Sequence, residues 1–157
     1  MENNQYLENE HQYVTLNIGN QLFGLPVLEV YDVLRDQKIN PIPLAPQQVA
    51  GSLNLRGRIV TAIDMRKRLA VQNEASYESE AMNVVVQFKG EMYSLIVDRV
   101  GEVMTFTPSQ FEKTPAVINP IWRNLSKGII RLESNLMIIL DVERIFIDIN
   151  TDSATAA

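Results

Sequence analysis

From Tyr13 to Ile18 apolar and polar residues alternate, with β-branched and aromatic side chains prominent, and Gln21 to Val27 resumes an apolar run after Gly19-Asn20. A period of two marks a half-buried strand, and a Gly-Asn pair between two such runs marks a turn, so this region predicts a β-hairpin. Val27, Val30, Val33 and Leu34 follow with a mixed period, which predicts a bend or short helical turn before a strand ending near Arg35. Pro41, Pro43 and Pro46 then fix an extended loop that cannot join a central strand. Pro46 suits the first position of a short helix, with Gly51 as its C-terminal cap. Next come a strand over 52–55, a turn at Arg56-Gly57-Arg58 and a strand over 59–63, after which Asp64 is placed to cap a short helix through Leu69. Gln72 to Glu80 is polar, acidic and aperiodic, and reads as a surface connection.

The second half repeats the first. An ungapped shift of 70 residues lays Val14–Leu34 on Val84–Met104, so that Val14, Leu25, Val27, Val30 and Val33 recur as Val84, Leu95, Val97, Val100 and Val103. A shift of 77 lays Gly51, Leu55, Ile63 and Asp64 on Gly128, Leu132, Leu140 and Asp141, with the extra residues falling in the Pro115 to Pro120 region. Each half then has about five short strands and a one-turn helix, too few to cover two faces as an open sheet. Closure into two similar barrels sharing a core is the expected all-β solution. The domain is expected over 13–147, with subdomains near 13–71 and 81–147 and flexible tails at 1–12 and 148–157. One difference between the halves is sharp: Asn54-Leu55-Arg56-Gly57 in the first faces Arg131-Leu132-Glu133-Ser134 in the second.

Composition narrows the function. The chain has 157 residues, no cysteine, and a formal charge of −5. It lacks an apolar run long enough to cross a bilayer and an N-terminal signal pattern, and a soluble cytoplasmic protein without membrane insertion is expected. The absence of cysteine removes disulfides, thiolate nucleophiles and cysteine-type zinc sites. The negative charge argues against nucleic-acid binding, which needs clustered lysine and arginine. The single histidine, His11, lies in the N-terminal tail, away from any nucleophile constellation.

Asp64 and Asp141, one from each half, have the form of an acid-protease dyad, but neither precedes a Thr-Gly turn, and the helix N-cap is the favoured reading. Trp122 reads as a packed anchor, with an interface role as the alternative. Arg56 reads either as a turn residue paired to Asp32 or another nearby carboxylate, or as a group that meets an acidic partner, two compatible roles. Val30, Val33, Val100 and Val103 read as barrel core or as the lining of a groove with charged borders, which suits a protein partner.

Together the NLRG tetrapeptide (Asn54 to Gly57), Ile63-Asp64-Met65-Arg66, the Phe23 to Val27 arm and Val97 to Val103 give the chain a resemblance to the CheW family, adaptors of bacterial chemotaxis arrays, over about Tyr13 to Ile147. The resemblance implies two five-stranded SH3-like β-barrels around a shared core, with no catalysis, cofactor or metal. It implies two partners: the cytoplasmic tip of methyl-accepting chemoreceptors and the regulatory domain of the histidine kinase CheA. Val30, Gly51, Asn54, Arg56, Gly57, Val100 and Val103 match positions of receptor binding or array function, and Asp32 and Val33 the kinase-contact region. Asp32 is shorter than the glutamate frequent there, and Ser94 stands where glycine is common. Free-standing chemotaxis adaptor is the leading expectation. An adaptor of a non-flagellar chemosensory system, or a β-barrel hydrolase using Asp64 and Asp141, are the alternatives.

Overall fold

The computed structural model describes residues 11–35, 37–71 and 81–155. The expected connection over 72–80 and most of the expected N-terminal tail lie outside the described residues. In chain order the elements are β1 (Gln12–Ile18), β2 (Gln21–Pro26), β3 (Val30–Leu34), β4 (Val49–Leu55), β5 (Arg58–Asp64) and α1 (Met65–Arg68). The second half contributes β6 (Met82–Phe88), β7 (Glu91–Val97), β8 (Arg99–Thr105), β9 (Phe111–Glu112), α2 (Pro120–Asn124), β10 (Ser126–Arg131), β11 (Leu136–Leu140) and α3 (Val142–Thr155). A 3-10 turn over Val27–Glu29 makes the expected bend before β3.

The strands form two sheets, in the orders β3-β6-β7-β5-β4 and β8-β1-β2-β11-β10-β9, each folded as an SH3-like barrel. The first has the expected five strands; the second has six because the two-residue β9 adds to β10. Each half lends its first hairpin to the other. β1 and β2 pair with β8 and β11 of the second half, while β6 and β7 pair with β3 and β5 of the first. The exchange is pseudo-symmetric in register: Thr61 faces Tyr93 in one parallel ladder and Ile138 faces Phe23 in the other, the same shifts of 77 and 70 that relate the sequence halves. The expected subdomain boundary is therefore corrected. One barrel runs continuously through β3–β7, residues 30–97, and the other combines 12–26 with 99–140. The physical reason is that β2 and β7 each carry a free edge that is completed only by a strand of the opposite half.

Two further expectations change. No helix follows Pro46: the Val49 N–H donates to the Pro46 carbonyl at 2.9 Å in a single turn, and β4 begins at once. Gly51 lies inside β4, at a register shift, with φ +148°. The expected C-terminal tail is also shorter, because α3 continues through Thr155. Its Val142, Ile145, Phe146 and Ile149 are buried, with the Phe146 ring 5.1 Å from Phe88 and 4.3 Å from Tyr93. The buried Arg68 of α1 donates from Nε to the Ile145 carbonyl at 3.0 Å, tying the short helix to the long one.

Three apolar clusters result. The largest joins both barrels and α3, and includes Leu16, Phe23, Ile63, Leu95, Ile138 and Phe146. Trp122 packs against it, edge-on to Phe23 at 5.5 Å, and donates from Nε1 to the Leu69 carbonyl at 2.8 Å, the packed anchor its sequence context predicts. Smaller clusters around Leu53 and Val60, and around Tyr13 and Ile130, fill the two barrels.

Ser94 finds its explanation in the barrel interior. Its repeat counterpart Gly24 faces Ile139, whose Cδ1 would lie 2.9 Å from an added Cβ, whereas Ser94 faces the small Ala62. The space holds a polar pair: Ser94 Oγ donates to Asn83 Oδ1 at 2.9 Å, and Asn83 Nδ2 donates to the Arg35 carbonyl at 3.3 Å. Because both side chains are buried, Asn83→Ala leaves the serine hydroxyl without its acceptor. Urea denaturation is expected to show a loss of about 2 kcal/mol; a loss below about 0.5 kcal/mol would show that the pair contributes little.

Candidate protein-binding surface

Two edge strands carry most of the candidate residues. β3 ends one sheet and β8 ends the other, and the repeat places them equivalently: Val30 faces Val86 and Val33 faces Val84, while Val100 faces Leu16 and Val103 faces Val14. Partner positions differ by the same 70 residues in each case. Both edges are irregular, with register shifts beside Asp32 and beside Thr15, and at the second Thr15 Oγ1 donates to the Glu102 carbonyl at 2.8 Å. Such bulges twist an edge away from regular pairing with another sheet.

The valines divide by position. Val30 and Val100 are partly buried and pack against the shared core, whereas Val33 and Val103 stand exposed, as does Tyr31. Each edge thus offers apolar surface continuous with the core between the barrels: Val30 and Val100 take the core reading, and Val33 and Val103 remain at the surface.

The β4–β5 turn supplies the cation. Leu55 pairs with Arg58, leaving Arg56-Gly57 as a two-residue loop with φ +51° and +84°, the type I′ geometry that suits a right-twisted hairpin. Asn54 Oδ1 accepts the Gly57 N–H at 3.0 Å and braces the turn. Arg56 Nη2 donates to Asp32 Oδ2 at 3.2 Å, while Asp32 Oδ1 accepts the Val33 N–H at 2.9 Å. The shorter acid reaches the arginine after all. The Arg56 side chain remains 80% exposed, so the pair orients the guanidinium without hiding it. In the second half the corresponding loop has four residues, 132–135, closed by the Leu132 N–H on the Asn135 carbonyl at 2.8 Å, and it reproduces neither the turn nor the cation.

Gly51 acts at a distance from that turn. Asn40 and Ser52 exchange backbone hydrogen bonds of 2.7 and 2.8 Å, and a Cβ on Gly51 would lie 2.2 Å from the Asn40 carbonyl oxygen. Glycine is what lets the proline-rich loop seat against β4. Asp98, in the Val97 to Val103 segment, accepts the Gly19 N–H on Oδ2 at 2.6 Å and pairs through Oδ1 with Arg66, which fixes the start of β8 between α1 and the β1–β2 turn.

Asp64 and Asp141 end strands of different sheets. Asp64 Oδ1 accepts the Lys67 N–H at 3.2 Å, and Asp141 Oδ1 accepts the Glu143 N–H at 3.1 Å. Their own N–H groups donate to Gln48 and Leu125, again 77 residues apart, so the two are equivalent helix caps. Among the described residues no group of three or more His, Cys, Asp and Glu side chains is arranged to hold a metal ion, and no helix is long and apolar enough to cross a membrane.

Paired SH3-like barrels with apolar edges and an oriented surface cation define a protein-binding module. Comparison with known proteins gives the family. The CheW-like domain model matches residues 12–150. The chain is 29% identical to the chemotaxis protein CheW of Treponema pallidum, over 88% of this chain and 84% of that one. It is 28% identical to the chemotaxis protein CheW of Thermotoga maritima, over 89% and 90%. The crystal structure of the scaffolding protein TtCheW from Thermoanaerobacter tengcongensis superposes with a TM-score of 0.80 at 28% identity, covering 88% of this chain and 93% of that one. The chain belongs to the CheW-like domain family, a family of chemotaxis scaffold proteins.

Proposed function

We propose that this protein is an adaptor coupling the cytoplasmic tips of chemoreceptors to the regulatory domain of the histidine kinase CheA, within receptor arrays at the cytoplasmic face of the membrane. The role is one of binding, without a catalytic step. Val30, Gly51, Asn54, Arg56, Gly57, Val100 and Val103 serve receptor binding or array function, and Asp32 and Val33 serve kinase contact. The observation that carries this reading is the pair of equivalent edge strands, β3 and β8, each presenting valines on one continuous core. A bridge needs two surfaces held at a fixed relation, and exchanged hairpins around a common core supply that rigidity.

The test is reconstitution. Kinase autophosphorylation is measured with receptor cytoplasmic fragments, with and without this protein. Receptor-dependent control of the kinase is expected only when the protein is present. Failure to bind either partner in separate pull-downs would sink the assignment.

A further inference from the structure

In a regular strand, side chains an odd number of residues apart point to opposite faces of the sheet, so Val100 and Val103 should face apart. In β8 they share a face. Val100 lies opposite Leu16 and Val103 opposite Val14, residues of β1 that alternate onto one side and belong to the shared core. The bulge does this, because Gly101 and Glu102 together occupy the place opposite the single residue Thr15. Closing the bulge by a one-residue slip would turn one of the two valines to the other face.

The contact that spans this bulge is an internal one. Thr15 is only 6% exposed, and its Oγ1 donates to the Glu102 carbonyl at 2.8 Å. Gly101 leaves room for the hydroxyl: a Cβ there would lie 2.5 Å from Thr15 Oγ1. The edge at β3 is held differently. The repeat places Val85 and Tyr31 where Thr15 and Gly101 stand, and a valine has no hydroxyl to donate. There Asp32 braces the irregular segment from the surface, through the Val33 N–H and Arg56. The two edges match in their valines and differ in what fixes their shape.

We propose that Thr15 and Gly101 are positioning residues for receptor binding: their contact fixes the β8 bulge, and the bulge sets Val100 and Val103 side by side on the face that the chemoreceptor tip covers. The partner named here rests on the adaptor role proposed above.

The test compares Thr15→Val, which keeps the side-chain shape and removes the donor, with Thr15→Ser, which keeps the hydroxyl. Affinity of the full chain is measured for a receptor cytoplasmic fragment and, in parallel, for the kinase regulatory domain, whose assigned contacts Asp32 and Val33 lie on β3 in the other sheet. Thr15→Val is expected to weaken receptor binding about fivefold and to leave kinase binding within about twofold of wild type, with Thr15→Ser close to wild type for both. Gly101→Ala crowds the hydroxyl from the other side and is expected to show the same selective loss. Receptor binding by Thr15→Val within about twofold of wild type would overturn the proposal. So would equal losses toward both partners, which mark a general structural role, or Thr15→Ser binding as weakly as Thr15→Val. Failure of the wild-type chain itself to bind the receptor fragment is a separate result, which removes the adaptor role and with it the partner named here.

Discussion

Gly51→Ala is expected to lower stability by about 3 kcal/mol, the largest effect of any single-methyl change near the candidate surface. The added Cβ would meet the Asn40 carbonyl oxygen at 2.2 Å and its carbon at 2.8 Å, both backbone atoms that cannot rotate away. The glycine also holds φ +148°, which L residues rarely adopt. Relief requires the Asn40–Ser52 bridge to open, with the loss of two hydrogen bonds and the release of the loop carrying Ile42 and the exposed Leu44. Thermal unfolding is expected to fall by about 10 °C, at roughly 2–4 °C per kcal/mol for a chain of this size. A midpoint within about 2 °C of wild type would show that the loop yields freely. A fall of the expected size, with partner binding also weakened, would make Gly51 a residue that acts on partners through the loop it seats.

Arg56 should behave in the opposite way. Its single exposed ion pair is worth no more than about 1 kcal/mol, so Arg56→Glu is expected to leave the melting temperature within a few degrees of wild type. Arg56→Asn is the sharper variant. Asn-Gly is the preferred pair for a type I′ turn, and asparagine adopts left-handed φ more readily than arginine, so this change should hold or slightly raise stability. If the guanidinium is what partners read, both variants abolish kinase control in the reconstituted assembly while the fold stands. An Arg56→Asn protein with full coupling would reduce the arginine to a turn residue. Glu133→Ala, at the equivalent place in the second half, is expected to leave coupling unchanged.

Asp32 stands 24 residues from Arg56 on β3 and was one candidate among nearby carboxylates, whereas the turn at Arg56 was legible in the sequence because its signals are local, a two-residue loop with glycine between β-rich runs. The same holds for the caps at Asp64 and Asp141 and for the packed Trp122. From sequence Gly51 reads as a helix cap because caps and strand bulges both call for a glycine that tolerates unusual φ, and only Asn40 across the bridge distinguishes them. The hairpin exchange was hidden for a related reason. Alternation along β1 and β2 reports which face is buried but says nothing of which strand lies alongside, and a repeat whose apolar positions fall into step makes either half an acceptable partner. The end of α3 has its own signal in the sequence, since Ile145, Phe146 and Ile149 share one helical face.

The exchanged hairpins also set an order of events during synthesis. β3 to β7 can close as soon as residue 97 leaves the ribosome, because that barrel is one continuous piece of chain. The β1–β2 hairpin emerges before that barrel, yet its partner β11 ends at Leu140, more than a hundred residues later. At ordinary elongation rates that wait lasts on the order of ten seconds. For that time β2, with Phe23 and Leu25, has β1 and β8 on one side only, and a hairpin made before either barrel closes completes its pairing after both halves have emerged.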